Sequence, residues 1–141
     1  MPRLDAHHEI VKRALLKAHW TVTRDNFGIT YKGFRVFIDL AAERFFTSDQ
    51  EHNKITAEIK VFNKASFATE FERAIGQYSL YRFLMKKVGL VQDLYLAVAE
   101  DAYKEFFASP TVQEYIEEQQ IYLLIFDHEK EELIKWIKEI N

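Results

Sequence analysis

The chain has 141 residues and a mass of 16.8 kDa, a length that suits one compact domain. A hydrophobic content of 48% excludes a disordered chain, and the lack of cysteine excludes disulfides, cysteine-ligated metal centres and thiol catalysis. The net charge of -3 argues against a simple basic DNA-binding module, although it is compatible with a nuclease whose active site is acidic. Because no apolar run reaches the roughly 20 residues of a membrane span and no secretory signal is visible, we expect a cytoplasmic protein without membrane association.

The first third of the chain predicts a helix followed by antiparallel strands. Apolar residues at helical spacing indicate the helix, and alternating apolar residues separated by turn signals indicate the strands. The predicted elements are a helix over Asp5–Ala18 with Asp5 as N-cap, a strand over Trp20–Arg24, a turn over Asp25–Gly28, and a hairpin of Ile29–Tyr31 with Phe34–Ala42 about Lys32-Gly33.

The remainder predicts strands that alternate with helices. Apolar runs such as LYLAVA and IYLLIF are typical of buried parallel strands, which require crossover connections. The predicted elements are a loop over Thr47–Lys54, a strand over Ile55–Phe62, a helix over Phe67–Val88 ended by Gly89, a strand over Leu94–Ala99, one or two helices within Asp101–Gln119 interrupted near Ser109-Pro110, a strand over Ile121–Phe126, and a segment Glu132–Ile140 that favours a strand from Leu133 over a short helix. We therefore expect a single α/β domain over residues 1–141, with a mixed central β-sheet flanked by helices.

Acidic residues interrupt two of the apolar strands. In FRVFIDLAAE, strict alternation places Asp39 on the face opposite Ile38 and Leu40. In ITAEIKVF, Glu58 and Lys60 share one face, and they form the only acid-x-Lys triplet in the chain. A carboxylate in the middle of a strand is costly to bury unless it is paired or holds a metal. The two strands therefore predict either an internal salt bridge or a metal site.

The metal-site interpretation has a defined chemistry. Two carboxylates side by side offer the hard oxygen ligands that Mg²⁺ or Mn²⁺ prefers, and such a metal can polarise a phosphoryl oxygen and activate water. Lys60 can orient that water or neutralise charge that develops on phosphorus. On the following helix, Gln77 and Tyr81 lie at i and i+4 and face the same way, so Gln77 could contact a nucleotide or the metal-bound water.

These residues resemble the PD-(D/E)xK superfamily, whose restriction-endonuclease-like core carries an Asp on one strand and Glu-x-Lys on the next. The segment QYSLY resembles the Q-x-x-x-Y helix motif of RecB-type members. Over its full length the chain resembles the XisH family, the fdxN-element excision controlling factors of cyanobacteria, through the segments DAHHEIVKRAL, FIDLAAER, AEIKVF, AIGQYSLYR, LYLAVAEDAYKEFF and IYLLIFD. The resemblance implies a protein that acts on DNA with a site-specific recombinase and a companion factor, XisI, to excise a DNA element.

The resemblance also assigns roles to individual residues. Asp39, Glu58 and Lys60 match the superfamily's metal and catalytic positions, and Gln77 matches the helix glutamine. The expected ligands of Mg²⁺ or Mn²⁺ are Asp39 and Glu58, with the backbone carbonyl of Ile59 as a third.

Three further residues carry weaker expectations. Glu9 matches a first-helix acid that many superfamily members add to the metal shell, but it could equally pair with Arg13 at i, i+4. Tyr81 is expected to contact substrate together with Gln77. His8 is a candidate neighbour of the site.

The aromatic residues suggest a partner. In the doublets Phe45-Phe46 and Phe106-Phe107, one ring of each is expected to point outward unless a partner covers it, which hints at a homodimer or a partner protein. The alternative to an endonuclease is thus a catalytically silent module of the same fold that recruits a recombinase or a small partner protein.

Overall fold

The computed structural model describes residues 2–45 and 52–138, which form an α/β domain around one sheet. The helices are α1 (Pro2–Lys17), α2 (Phe67–Lys87), α3 (Glu100–Phe106) and α4 (Pro110–Gln119), and a 3₁₀ turn at Lys64–Ser66 precedes α2. The strands are β1 (Thr21–Tyr31), β2 (Phe34–Phe45), β3 (His52–Ile59), β4 (Asp93–Ala99), β5 (Tyr122–Asp127) and β6 (Glu132–Ile137). The predicted α/β fold with a mixed sheet flanked by helices is confirmed.

The sheet has its six strands in sequence order, from β1 at one edge to β6 at the other. The pairs β1–β2, β2–β3 and β5–β6 are antiparallel, whereas β3–β4 and β4–β5 are parallel. Parallel neighbours need a crossover, which α2 provides between β3 and β4 and the α3–α4 pair provides between β4 and β5. The carboxyl ends of β3, β4 and β5 therefore lie at the same edge of the sheet.

Two apolar layers cover the faces of this sheet. On one face Val11 and Leu15 of α1 pack on alternate residues of β2 to β5. On the other face α2 contributes Tyr78 and Leu84, and the α3–α4 segment contributes Phe107. Strands buried on both faces, such as β4 and β5, read as continuous apolar runs for this reason.

Strand β1 is continuous where the sequence predicts a turn. Asp25–Gly28 belongs to the strand, and Phe27 is buried in the layer beneath α2. The polar and glycine residues are accommodated by a register shift between Val22 and Arg24 and by a positive φ of 50° at Asn26. The turn prediction is wrong because pairing with β2 and burial of Phe27 outweigh the local turn preference.

Several predicted boundaries are confirmed. Lys32 and Gly33 have φ values of 50° and 84°, the signs that a two-residue type I′ turn requires. Gly89, with φ of 79°, follows the end of α2 as predicted. The helical region after β4 breaks before Pro110, and the last segment is strand β6 rather than a helix.

Other boundaries differ from prediction. Helix α1 begins at Pro2, so Asp5 lies inside it and does not cap it. Strand β3 begins at His52 and ends at Ile59, so it includes the end of the predicted loop Thr47–Lys54 and stops before Phe62. Residues 46–51 of that region lie outside the described residues. The sheet extends β3 towards His52 because that residue pairs with Phe45 of β2.

The predicted alternation along β2 is wrong at Asp39. Ile38 and Ala41 pack in the layer beneath α2, whereas Leu40 and Ala42 pack in the layer beneath α1. Ile38 and Leu40 therefore point to opposite faces of the sheet, although they are two residues apart. This break in the alternation occurs where β2 stops pairing with β3. Alternation along one strand does not reveal such an inversion, because it depends on what the neighbouring strand does.

The expected outward ring of the Phe106-Phe107 doublet is also not found. Phe107 is fully buried, and the ring of Phe106 stacks on Phe67 with centroids 4.9 Å apart. The other doublet involves Phe46 and the side chain of Phe45, which lie outside the described part of the structure.

Candidate active site

Asp39 and Glu58 face each other where β2 and β3 separate. The β2–β3 ladder ends at the pair Leu40–Ala57. Beyond this last pair, Glu58 Oε1 accepts a hydrogen bond from the backbone N–H of Asp39 at 3.2 Å. Asp39 Oδ2 accepts one from the backbone N–H of Ile59 at 2.8 Å. Each carboxylate thus replaces a ladder hydrogen bond of the opposite strand. This reciprocal arrangement fixes both acids at the fork between the strands.

Both acids are electrostatically strained. Glu58 is only 6% exposed, and burial, followed by the charge of Asp39, raises its pKa to about 7. Burial likewise raises the pKa of Asp39, while the Ile59 N–H, His8 and Lys60 oppose that rise. Two carboxylates that resist ionisation together form a site that a cation would stabilise.

Lys60 and Gln77 complete the side of the site beneath α2. Lys60 follows β3, where its backbone N–H donates to Ala97 O at 3.1 Å. Its Nζ lies 3.6 Å from Glu58 Oε2 and donates a hydrogen bond to Gln77 Oε1. The predicted common face of Glu58 and Lys60 is confirmed, and α2 brings Gln77 to the same point.

Tyr81 lies one helical turn beyond Gln77 and is buried. Burial raises the pKa of its hydroxyl, and the charges of Glu58 and Asp39 add to the rise. The Q-x-x-x-Y residues therefore both lie near the acid pair, as their spacing predicts. A role for Tyr81 in substrate contact stays a prediction.

Helix α1 approaches Asp39 from the other side through His8. His8 Nδ1 lies 4.0 Å from Asp39 Oδ1, and His8 Nε2 donates to Asp25 Oδ1 at 2.7 Å. Lys12 Nζ donates to the second oxygen of Asp25 at 2.6 Å, and this bond, followed by that of His8, lowers the pKa of Asp25. Sequence reasoning noted His8 but missed Asp25, because it placed Asp25 in a turn.

Glu9 lies on the exposed side of α1. Its carboxylate is 3.7 Å from Lys12 Nζ, while Arg13 makes two 2.8 Å hydrogen bonds to Glu131. Glu9 thus forms an i, i+3 pair with Lys12, whereas Arg13 is hydrogen-bonded to Glu131 and the charge of Glu9 only adds to the rise of the Arg13 pKa. Ligation of a metal by Glu9 stays a prediction.

The donor set fits a hard divalent cation in its chemistry. Asp39 and Glu58 supply carboxylate oxygens, and Ile59, whose backbone carbonyl is the expected third ligand, is the last residue of β3. Within residues 2–45 and 52–138, no group of three or more His, Asp and Glu side chains has metal-binding geometry. A cation here would therefore rely on two carboxylates, a backbone carbonyl and water, which is the arrangement that Mg²⁺ tolerates.

The comparisons with known proteins identify the family. A family model described as "XisH protein" matches residues 1–134. The chain belongs to the XisH family, the family of excision controlling factors. The fold is similar to a crystal structure of an fdxN element excision controlling factor protein from Anabaena variabilis, with a TM-score of 0.84 and 39% identity over 94% of this chain and 98% of that one.

A second solved structure, an XisH family protein from Nostoc punctiforme, is also similar. It has a TM-score of 0.83 and 37% identity over 94% of this chain and 98% of that one. No curated protein matches the sequence. Among the helices that the structure describes, none is long and apolar enough to span a lipid bilayer.

Proposed function

We propose that this XisH protein cleaves phosphodiester bonds in DNA with a Mg²⁺ or Mn²⁺ ion, in support of the excision of a DNA element. The observation that carries the proposal is the pair of buried Glu58 and half-buried Asp39 at the strand fork, with Lys60 beside it. Two carboxylates with raised pKa values next to one lysine match the donor set of a metal-dependent phosphodiesterase. The same residues underlie the proposed membership in the PD-(D/E)xK superfamily.

The residues divide the work as follows. Asp39, Glu58 and the Ile59 carbonyl would hold the cation, which supplies Lewis-acid polarisation of the phosphate and a lowered pKa of bound water. Lys60 would direct the attacking water and stabilise negative charge on phosphorus. Gln77 would hold the Lys60 ammonium in position through the hydrogen bond between them.

The biological setting is part of the proposal. The printed name of the Anabaena variabilis relative is an fdxN element excision controlling factor. We extend that role to this chain, with DNA, a site-specific recombinase and an XisI-like companion as partners and the cytoplasm as location. A homodimer is a further option for the assembly.

A cleavage assay with a matched variant tests the activity. Purified protein is incubated with supercoiled, linear and single-stranded DNA in Mg²⁺ or Mn²⁺, with Glu58→Gln as the site variant. Glu118→Gln, a substitution on the exposed face of α4, serves as the control. We expect cleavage that requires metal, persists in Glu118→Gln and is lost in Glu58→Gln.

Metal binding provides a readout that does not depend on turnover. At a hundredfold excess over Kd, a ligand that binds only the folded state stabilises it by about 2.7 kcal/mol. Mn²⁺ should therefore raise the unfolding midpoint of the protein and of Glu118→Gln, but not of Glu58→Gln. Equal stabilisation of all three proteins would contradict the assignment of Glu58 as a ligand.

A second candidate function is a catalytically silent interaction module. This function is favoured because the polar groups of the site already pair with one another: Lys60 contacts both Glu58 and Gln77. If neither metal stabilisation nor cleavage occurs, and Glu58→Gln still binds the companion protein as tightly as the unmodified chain, this function replaces the nuclease.

A further inference from the structure

The hairpin formed by β1 and β2 extends beyond the sheet next to the acid pair. On β2 the ladder with β3 runs from Leu40 to Phe45, while the ladder with β1 continues to the turn at Lys32 and Gly33. Within the described residues, the segment from Phe27 to Ile38 therefore has no third strand beside it. We call this segment the hairpin arm.

One face of the hairpin arm is fixed to the core. Phe27, Ile29 and Ile38 are buried in the layer beneath α2, and Tyr31 and Val36 pack against it. The arm is thus a rigid extension of the domain. Its other face carries Arg35 and Phe37, which are exposed.

The arm carries exposed cations and exposed aromatic rings at its tip and on the face of Arg35 and Phe37. Phe34 at the turn is 54% exposed and Phe37 is 50% exposed. Lys32 and Arg35 give the arm two positive charges and it contains no carboxylate, in a chain whose net charge is -3. The arm is therefore locally cationic on an acidic protein.

Arg35 is held in place on this surface. Its Nη1 donates to Thr30 Oγ1 at 2.9 Å, and its guanidinium lies 5.0 Å from the centroid of the Phe37 ring. The absence of a side chain at Gly28 gives the guanidinium room, since a Cβ there would lie 2.4 Å from its Nη2. A cation fixed beside an exposed ring costs little ordering entropy when it binds a ligand.

We infer that the hairpin arm binds a DNA strand with unpaired bases, with phosphates on Lys32 and Arg35 and bases stacked on Phe37 of the outer face and on Phe34 at the tip. The inference rests on the proposed function for its choice of DNA as the polyanion. Cationic grooves with aromatic platforms bind single strands in this way, because every base offers a face for stacking. Phe37 lies two residues from Asp39, about 7 Å along the strand, so a strand bound here would reach the acid pair.

The positive charge of the arm favours DNA over a second copy of the chain as its ligand. Two hairpin arms placed face to face would bring like charges together, whereas the sugar-phosphate backbone complements them. Phosphates alone do not explain the two exposed rings, whereas unstacked bases offer faces that stack on them. A single strand should therefore bind more tightly than a duplex of the same length.

Fluorescence anisotropy with a labelled 20-nucleotide strand and its duplex tests the inference, in chelator so that no cleavage occurs. We expect tighter binding of the single strand, and a loss of roughly five- to a hundredfold for Phe34→Ala and for Phe37→Ala. Arg35→Ala should lower the slope of log K against log salt by about 0.7. All three side chains changed are exposed, so circular dichroism should show unchanged folding.

The chain offers a matched control on α2. Phe83 is 51% exposed, and Lys87 Nζ lies 5.5 Å from the centroid of its ring, which repeats the chemistry of the arm elsewhere. Phe83→Ala and Lys87→Ala should bind DNA like the unmodified protein. Equal losses in the arm and control variants would overturn the assignment.

The two proposals can fail separately. If the arm variants bind normally while Glu58-dependent cleavage persists, the arm assignment falls and the nuclease stands. If they lose binding while the unmodified protein cleaves nothing, the nuclease falls and the arm stands. Absence of DNA binding by the unmodified protein overturns the arm, as does a dimer in sedimentation that Phe34→Ala dissociates without any effect on DNA binding.

Discussion

At the scale of single residues, the acid pair of Asp39 and Glu58 lowers the free energy of unfolding. Asp39 and Glu58 each accept one backbone N–H, but Glu58 is buried and Asp39 is half-buried, so both carboxylates lose part of their hydration. The single adjacent ammonium, that of Lys60, offsets only part of this cost, because the pKa of Glu58 still rises to about 7. A stretch of sheet that served stability alone would not need either acid.

The first prediction concerns Glu58→Gln and pH. Because the pKa of Glu58 is about 7 in the folded protein and 4.5 in the unfolded chain, the folded state binds more protons between these values. The free energy of unfolding should therefore fall as pH rises from 4.5 to 7, by an amount on the order of 3 kcal/mol. Glutamine does not titrate, so the variant should lack this loss and be the more stable protein at pH 8.

Urea unfolding in chelator at pH 4.5 and pH 8 measures the difference. The stability of Glu118→Gln relative to the unmodified protein should not depend on pH in this window. If the unmodified protein gains stability relative to Glu58→Gln between pH 4.5 and 7, the assigned direction of the Glu58 pKa shift is wrong.

At the scale of elements, α2 connects the site to the centre of the sheet. Gln77 points to Lys60, while its neighbour Tyr78 is fully buried, donates to Leu94 O at 2.7 Å and accepts the Tyr122 N–H at 3.0 Å. This hydroxyl therefore bridges β4 and β5 at their starts, and burial raises its pKa to about 12. The helix that carries the site residue is thus anchored by the residue next to it.

The second prediction is that Tyr78→Phe destabilises the fold. Loss of the hydroxyl leaves Leu94 O and the Tyr122 N–H without this partner in a buried position, a change worth about 1–3 kcal/mol. Tyr115→Phe, on the exposed side of α4, should change stability by less than about 0.5 kcal/mol. Thermal or urea unfolding compares the two variants, and equal stabilities would show that the Tyr78 bridge contributes nothing.

The elements also show what sequence can predict. Asp39, Glu58 and Lys60 could be found because charged residues interrupt strands that are otherwise apolar, and Gln77 because helical spacing is regular. The inversion at Asp39 could not be found, since it arises from the separation of two strands distant in sequence. Asp25 was missed for a related reason, because pairing with β2 outweighs the turn preference of the segment Asp25–Gly28.

At the scale of the whole molecule, the candidate site and an aromatic cluster occupy different parts of the sheet. The acid pair and the hairpin arm lie around the ends of β2 and β3, whereas an aromatic cluster closes the layer beneath α1. The only two tryptophans, Trp20 and Trp136, lie 5.3 Å apart between ring centroids, and Tyr95 meets Trp136 at 4.9 Å. Their fluorescence therefore reports on the layer opposite to α2.

The third prediction is that residues 1–141 unfold as one cooperative domain. Because every strand contributes to one continuous sheet, loss of packing beneath α2 should also destabilise the layer beneath α1. Tyr78→Phe lies beneath α2, yet it should shift the urea midpoint seen by tryptophan fluorescence by the same amount as the midpoint seen by far-ultraviolet circular dichroism. If the fluorescence midpoint stays fixed while the dichroism midpoint moves, the two layers unfold independently and the chain contains more than one folding unit.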